Sequence, residues 1–170
     1  EIIGAKIISL KPKMLADIWI DVQSVADQLS IRKKAAEFCD EVDLRIKVVK
    51  KRLTPKPSNT PNVLTIEWID PIYVGGMWLP EMIDIAGGKV CIAKKGQPAP
   101  VVDKATLSKI NPDVVVVKPC GYKLDQTLKE ISMLKKQLPL REWNNKSATS
   151  FYLVDGNSYF NRPGPRILDS

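Results

Sequence analysis

The chain has 170 residues, of which 44% are hydrophobic and 26% charged. At roughly 100–200 residues per domain this is one domain, or one domain with an appendage, and disorder and collagen-like repeats are excluded. Lys and Arg number 26 against 19 Asp and Glu, a net charge of +7, and histidine is absent, which removes the usual general base, the Ser-His and Cys-His pairs and imidazole ligation of metals.

In chain order, Lys6 to Leu10 reads as a short strand stopped by Pro12. From Met14 to Leu29 the apolar residues recur at three- and four-residue steps, which predicts an amphipathic helix. Ser30 is placed as the N-cap of a second helix from Ile31 to about Leu53. Its two dozen residues would form a rod of roughly 35 Å. Between Ile31 and Pro57 stand nine basic and four acidic residues. A basic helix face can meet nucleic acid or acidic lipid, but few aromatics are interleaved and no nucleic-acid motif accompanies it. A solvated face is the simpler account, and no nucleic-acid partner is expected.

Thr54 to Asn62 holds three prolines and reads as a linker. This divides the chain into 1–53, 54–62 and an α/β portion at 63–170. Within the last, Val63 to Trp68 is a strand, Leu79 to Ile85 a short helix ended by Gly87-Gly88, and Lys89 to Ala93 a further strand. Lys104 to Lys109 is a short helix, and Asp113 to Val117 is the clearest buried parallel strand, being β-branched and flanked by breakers. Leu124 to Leu138 reads as one helix and Ser150 to Val154 as the last strand. This alternation predicts an α/β fold with a mainly parallel sheet.

No apolar run reaches the ~18 residues of a membrane span, and EIIGAKIISLKP lacks a basic segment ahead of a long apolar stretch, so no targeting signal is read in this chain. The opening strand-like run and the ending at Ser170 without a closing element lead us to expect that both ends are cuts within a longer protein. Cys39, Cys91 and Cys120 stand far apart without C-x-x-C spacing, which disfavours a zinc site or a disulfide framework.

In open α/β sheets ligands bind beyond the carboxyl ends of the strands. Three segments follow strands there: 68–78, 118–122 and 155–165. They carry six of the eleven aromatics, Trp68, Tyr73, Trp78, Tyr122, Tyr159 and Phe160, beside glycines that let a backbone approach a ligand. A flat, aromatic, lightly polar surface suits a large planar or apolar ligand. Catalytic signals are weak. Glu67 and Asp70 lack a matching nucleophile, activation of Cys120 would rest on Lys118 or a helix terminus, and the Gly75-Gly76 and Gly87-Gly88 pairs lack phosphate-loop spacing. Arg162 can pair with an anionic group of a ligand or partner, or fix its own loop.

The segments VLTIEWIDPIYVGGMWLPEMIDIAGG, INPDVVVVKPCGYKLDQTL and FYLVDGNSYFNRPGPRILD resemble those of the cobalamin-type substrate-binding proteins of ABC importers, the helical-backbone branch of periplasmic binding proteins. The front of the chain is similar to that family's last amino-lobe strand and inter-lobe helix. The resemblance implies a three-layer Rossmann-like carboxy-terminal lobe preceded by a long backbone helix, with the amino-terminal lobe missing. It also implies a non-catalytic role in an extracytoplasmic location, handing a ligand to an importer permease. No cofactor is required on this view; the ligand is a corrinoid or another bulky metal chelate. By motif, Trp68, Asp70, Pro71, Tyr73, Gly75, Gly76 and Trp78 would line one wall of the cleft, Cys120, Gly121 and Tyr122 a second, and Asn157, Tyr159, Phe160, Asn161 and Arg162 a third. Met77 stands where members often carry histidine. Two other readings compete: an interaction protein that kept the fold inside a larger assembly, and an enzyme acting through Cys120. Apolar surface left by a truncated lobe would favour self-association.

Overall fold

The computed structural model describes residues 6–53, 60–146 and 148–170. The helix α1 (Leu15–Gln28) opens where the Asp17 carboxylate accepts the backbone N–H groups of Lys13 and Met14, both at 2.9 Å. These bonds hold the Asp17 pKa below the ordinary carboxylate value. The Leu15 N–H, another orphan of the first turn, donates to the Glu81 carboxylate of α3 (Leu79–Ile85) at 2.9 Å, so the cap of one helix is a tether to the next.

The helix α2 (Arg32–Arg52) returns alongside α1, with Trp19 and Phe38 meeting edge to face at 5.8 Å. Its 21 residues span about 31 Å. Ser30 does not cap it. Ile31 occupies that position without a side-chain bond, and Ser30 takes a φ of 57° in the tight turn between the helices. Lys6 to Leu10 is not a strand either; the segment is exposed, and no strand of the described residues lies beside it to complete a ladder. Most of the predicted linker, residues 54–59, lies outside the described residues, and its last residue, Asn62, opens the sheet.

The sheet comprises β1 (Asn62–Ile69), β2 (Ile72–Val74), β3 (Lys89–Val90), β4 (Val101–Val102), β5 (Val114–Val117) and β6 (Ser150–Leu153). Its order is β4-β2-β1-β5-β6, with β3 beside the start of β1. The β1–β5, β5–β6 and β1–β3 pairs are parallel; β1–β2 and β2–β4 are antiparallel. The sheet is thus a mostly parallel Rossmann-like arrangement flanked by helices, with an antiparallel margin that the sequence does not announce. Strands β2 and β4 are three and two residues long, below the length at which alternation is visible. The starts of β1 and β5 are locked by the Asp113 carboxylate, which accepts the Asn62 backbone N–H at 2.7 Å and its amide at 3.1 Å.

The core forms where Leu64 and Ile66 of β1 meet Val115 and Val117 of β5, all fully buried. Leu107 of α4 (Lys104–Leu107) and Leu134 close one side of it. The predicted single helix Leu124–Leu138 is two, α5 (Leu124–Lys129) and α6 (Ile131–Gln137), broken at Glu130. Leu134 and Leu138 reach the core, whereas Leu124 and Leu128 stay exposed, so the two halves obey different packing demands. A further helix, α7 (Leu140–Lys146), carries Trp143 into the core, where its indole N–H donates to the Leu107 carbonyl at 3.1 Å. At the far margin β6 is the end strand, with Phe151 and Tyr152 on the surface.

Trp143→Ala removes a fully buried ring and one of the two hydrogen bonds that the Leu107 carbonyl accepts, and is expected to cost about 3–5 kcal/mol of stability, read as a lowered urea midpoint.

Candidate ligand face at the carboxyl edge of the sheet

Strand β1 runs past the end of β5: Ile66 pairs with Val117, and beyond that pair the Lys118 and Cys120 N–H groups donate to the Ile66 and Glu67 carbonyls at 2.8 and 3.0 Å. On the other side the register moves from Ile66↔Val74 to Trp68↔Tyr73, which makes Glu67 the extra residue of a bulge. A bulge re-aims the side chains around it. Here Glu67 meets Lys118, the first residue beyond β5, and Trp68 faces outward.

Lys118 lies on the floor of this edge with 1% of its side chain exposed. Its ammonium donates to the Glu67 carboxylate at 3.2 Å and to the Asn161 amide oxygen at 2.6 Å. The Asn161 amide N–H₂ in turn donates to the carbonyls of Lys118 and Pro119, each at 3.2 Å. Burial holds the Lys118 pKa below the ordinary 10.5, and the Glu67 charge opposes that shift. Gly156 lets the third segment settle onto the second: a Cβ there would fall 2.5 Å from the Lys118 carbonyl oxygen. That segment is a π-helical turn, Gly156–Phe160, opened by Asp155, whose carboxylate accepts the Ser158 N–H at 2.7 Å.

The three segments therefore meet. The Trp68 and Tyr122 rings pack edge to face at 5.5 Å and 68°, and the Asn157 N–H donates to the Tyr122 carbonyl at 3.3 Å. Trp68 is 37% exposed, and with Asp70, Pro119, Tyr122, Glu130 and Met133 it borders a shallow recess of about 160 Å³. Asp70, Pro71, Cys120, Gly121 and Arg162 are exposed at the rim, and Tyr73 is half-buried opposite Trp68 on β2. Trp68 and Tyr73 thus sit on strands of a hairpin rather than on a loop.

Other residues of the expected walls turn inward. Trp78 packs with Leu15, Ile18 and Ile167, and its indole donates to the Phe160 carbonyl at 3.1 Å. It braces the third segment from beneath. Gly75 and Gly76 are buried, and a Cβ on Gly76 would fall 2.5 Å from the Ala99 backbone nitrogen. Close packing, not ligand approach, requires glycine there. Tyr159 lies under the Arg166 guanidinium, 4.7 Å from its ring centre. Burial pushes the Cys120 thiol above its ordinary value, opposed by Lys118, the reverse of the shift that activates a nucleophile. The described residues hold no cluster of ligating side chains for a metal ion.

Lys118, Glu67 and Arg166 were not among the expected wall residues. A lysine directly after four valines of a buried strand was the available signal for the first. A larger concavity, about 410 Å³, lies away from this edge, between α2, α3 and the closing turn at Pro165–Asp169.

No protein-family model matches the chain, and no curated protein matches its sequence. Solved structures do match its fold. An ABC transporter substrate-binding protein from Listeria monocytogenes superposes at a TM-score of 0.72 with 16% identity, over 95% of this chain and 64% of that one. The Staphylococcus aureus protein IsdE, solved with heme, gives 0.69 and 18%, over 89% and 60%. The periplasmic vitamin B12 binding protein BtuF of Vibrio cholerae gives 0.66 and 20%, over 98% and 62%. The architecture is that of the helical-backbone periplasmic binding proteins. The chain spans less than two thirds of the length of each of these three.

Lys118→Met leaves Glu67 without its cation and is expected to cost about 3 kcal/mol, the low end for a broken buried pair because Glu67 keeps some contact with water. The double variant with Glu67→Gln should recover part of that loss in urea unfolding. The lowered Lys118 pKa means the unfolded chain binds more protons just below pH 10.5, so the stability gap between wild type and Lys118→Met should widen as pH rises through that window.

Proposed function

We propose that this chain is the backbone helix and carboxy-terminal lobe of a non-catalytic substrate-binding protein of an ABC importer. Its carboxyl-edge face forms one wall of a cleft for a bulky, partly planar chelate, a corrinoid or a porphyrin. The observation that carries this reading is the convergence of Trp68, Tyr122 and the 155–162 segment at the end of the parallel strands. The fold likeness to a protein solved with heme and to a vitamin B12 binding protein supports it. An aromatic pair, partly exposed and edge to face, offers apolar area without a committed hydrogen-bond pattern, which suits a ligand recognised by shape and stacking.

On this reading a permease is the partner, an amino-terminal lobe supplies the opposite wall, and the location is extracytoplasmic. No described helix is long and apolar enough to cross a membrane. A continuous 21-residue helix resists hinge bending, so the lobes would close by small rigid shifts. A second reading, an interaction protein within a larger assembly, is favoured by the exposed apolar side chains of α2, Leu44, Val48 and Val49. It predicts stable self-association or co-purifying partners and no chelate binding.

Titration with cobalamin and with haemin, followed by tryptophan fluorescence, tests the first reading. Saturable quenching by at least one is expected, and Trp68→Ala should weaken it about tenfold, the value of one lost aromatic contact. Absence of quenching by both overturns it.

A further inference from the structure

We propose that two copies of this chain pair through the outward stripe of α2, antiparallel and about a two-fold axis level with Ile46. The dimer rests on none of the observations at the aromatic face, and the chelate titration tests that face separately.

The helix turns one side to the protein and another away from it. Ala35 and Val42 are buried, whereas Leu44, two residues or roughly 200° further round, is 62% exposed, and Val48, one turn on, is 43% exposed. Glu41, Leu44, Val48 and Lys51 follow one another at steps of three, four and three, and Asp40 and Arg52 stand one turn outside the apolar pair. All six therefore share the outward stripe. Leu44 and Val48 also border a concavity of about 410 Å³ walled by Met82, Ile85, Ile167 and Leu168, an apolar floor beside the stripe.

Charge is divided along the same helix. From Ala36 to Leu44 there are four acids and no base; from Arg45 to Arg52 there are five bases and no acid. None of the described ion pairs engages Asp40, Glu41, Lys51 or Arg52. Arg45, close to the axis, is held by Asp169 of its own chain. An antiparallel copy centred between Leu44 and Val48 sets Leu44 on Val48, Glu41 opposite Lys51 and Asp40 opposite Arg52, each contact made twice, as a two-fold interface requires. A parallel copy would oppose acid to acid and base to base. A flat anionic surface, lipid or nucleic acid, would repel the first block while attracting the second. The stripe is complementary to its own reverse, which selects a second copy as the occupant. Two apolar residues per helix and exposed ion pairs fall short of a permanent interface, so the dimer is weak, with a Kd of about 10–100 μM, and weakens further as salt screens its charges.

Sedimentation equilibrium of the whole chain reads this directly. Wild type is expected to dimerise at low ionic strength. Glu41→Lys and Lys51→Glu, both at exposed positions, should each weaken association about tenfold, because symmetry enters each change twice. Combined in one chain they should restore it, since the exchanged charges again oppose each other across the axis; no parallel or in-register pairing gives that rescue. Tyr152→Lys, at the margin of the sheet, should leave association unaltered. A chain that stays monomeric at millimolar concentration overturns the dimer, and it does so equally if the basic block binds vesicles of phosphatidylglycerol instead. Association that survives either single exchange, that the double exchange fails to restore, or that Tyr152→Lys abolishes overturns its assignment to α2.

Discussion

The whole carboxyl edge of the sheet depends on a single buried ammonium. An isolated charge out of water costs several kcal/mol, and Lys118 is tolerated because Glu67 and Asn161 both turn to it. Each of those partners comes from a different segment, one by way of a strand bulge and one from beyond the last strand. The interaction therefore fixes the spacing of three chain crossings at once, and the aromatic side chains above inherit their positions from it. Its net energy is modest, as for most buried pairs; its contribution is geometric.

A second set of ties links that edge to the helical front of the chain. The Trp78 indole holds the Phe160 carbonyl from below and packs on Leu15 and Ile18 of α1. The Glu81 carboxylate holds the Leu15 N–H, and Arg45 of α2 pairs with Asp169 in the closing turn. The rim is thus fastened to α1 through an indole and to α2 through the turn that follows it. A face organised this way is held in shape before anything meets it, which on the proposed reading suits capture by a preformed surface more than by loop closure.

Much of this organisation was visible in the sequence. The four valines of β5 could be placed because a β-branched run between breakers has few alternatives, and the meeting of the three segments at the carboxyl edge followed from where the strands end. The elements that escaped have physical reasons. β2 and β4 are too short for a period, and α7 contributes one buried residue, Trp143, so no repeat exists to detect. The break at Glu130 is invisible locally, since Leu124 to Leu138 has continuous helical spacing and no glycine or proline; tertiary packing selects Leu134 and Leu138 and leaves Leu128 half exposed. Ser30 has the composition of a cap but sits where the chain needs a left-handed residue. The Lys118 cluster joins residues 51 and 43 positions apart, a pairing that no local pattern encodes. Trp78 and the Gly75-Gly76 pair were recognised as special, but packing accounts for them.

The end strand β6 carries a consequence for how the molecule behaves in company. One side of it is satisfied by β5, residue for residue from Ser150 to Leu153. Among the described residues no strand pairs with the opposite side, where main-chain donors and acceptors stand in a row beside the exposed Phe151 and Tyr152. An extended peptide laid along this margin would continue the ladder without distorting it. The same margin is where concentrated solutions of the chain would begin to polymerise, and a lysine introduced at Tyr152 would blunt both tendencies together.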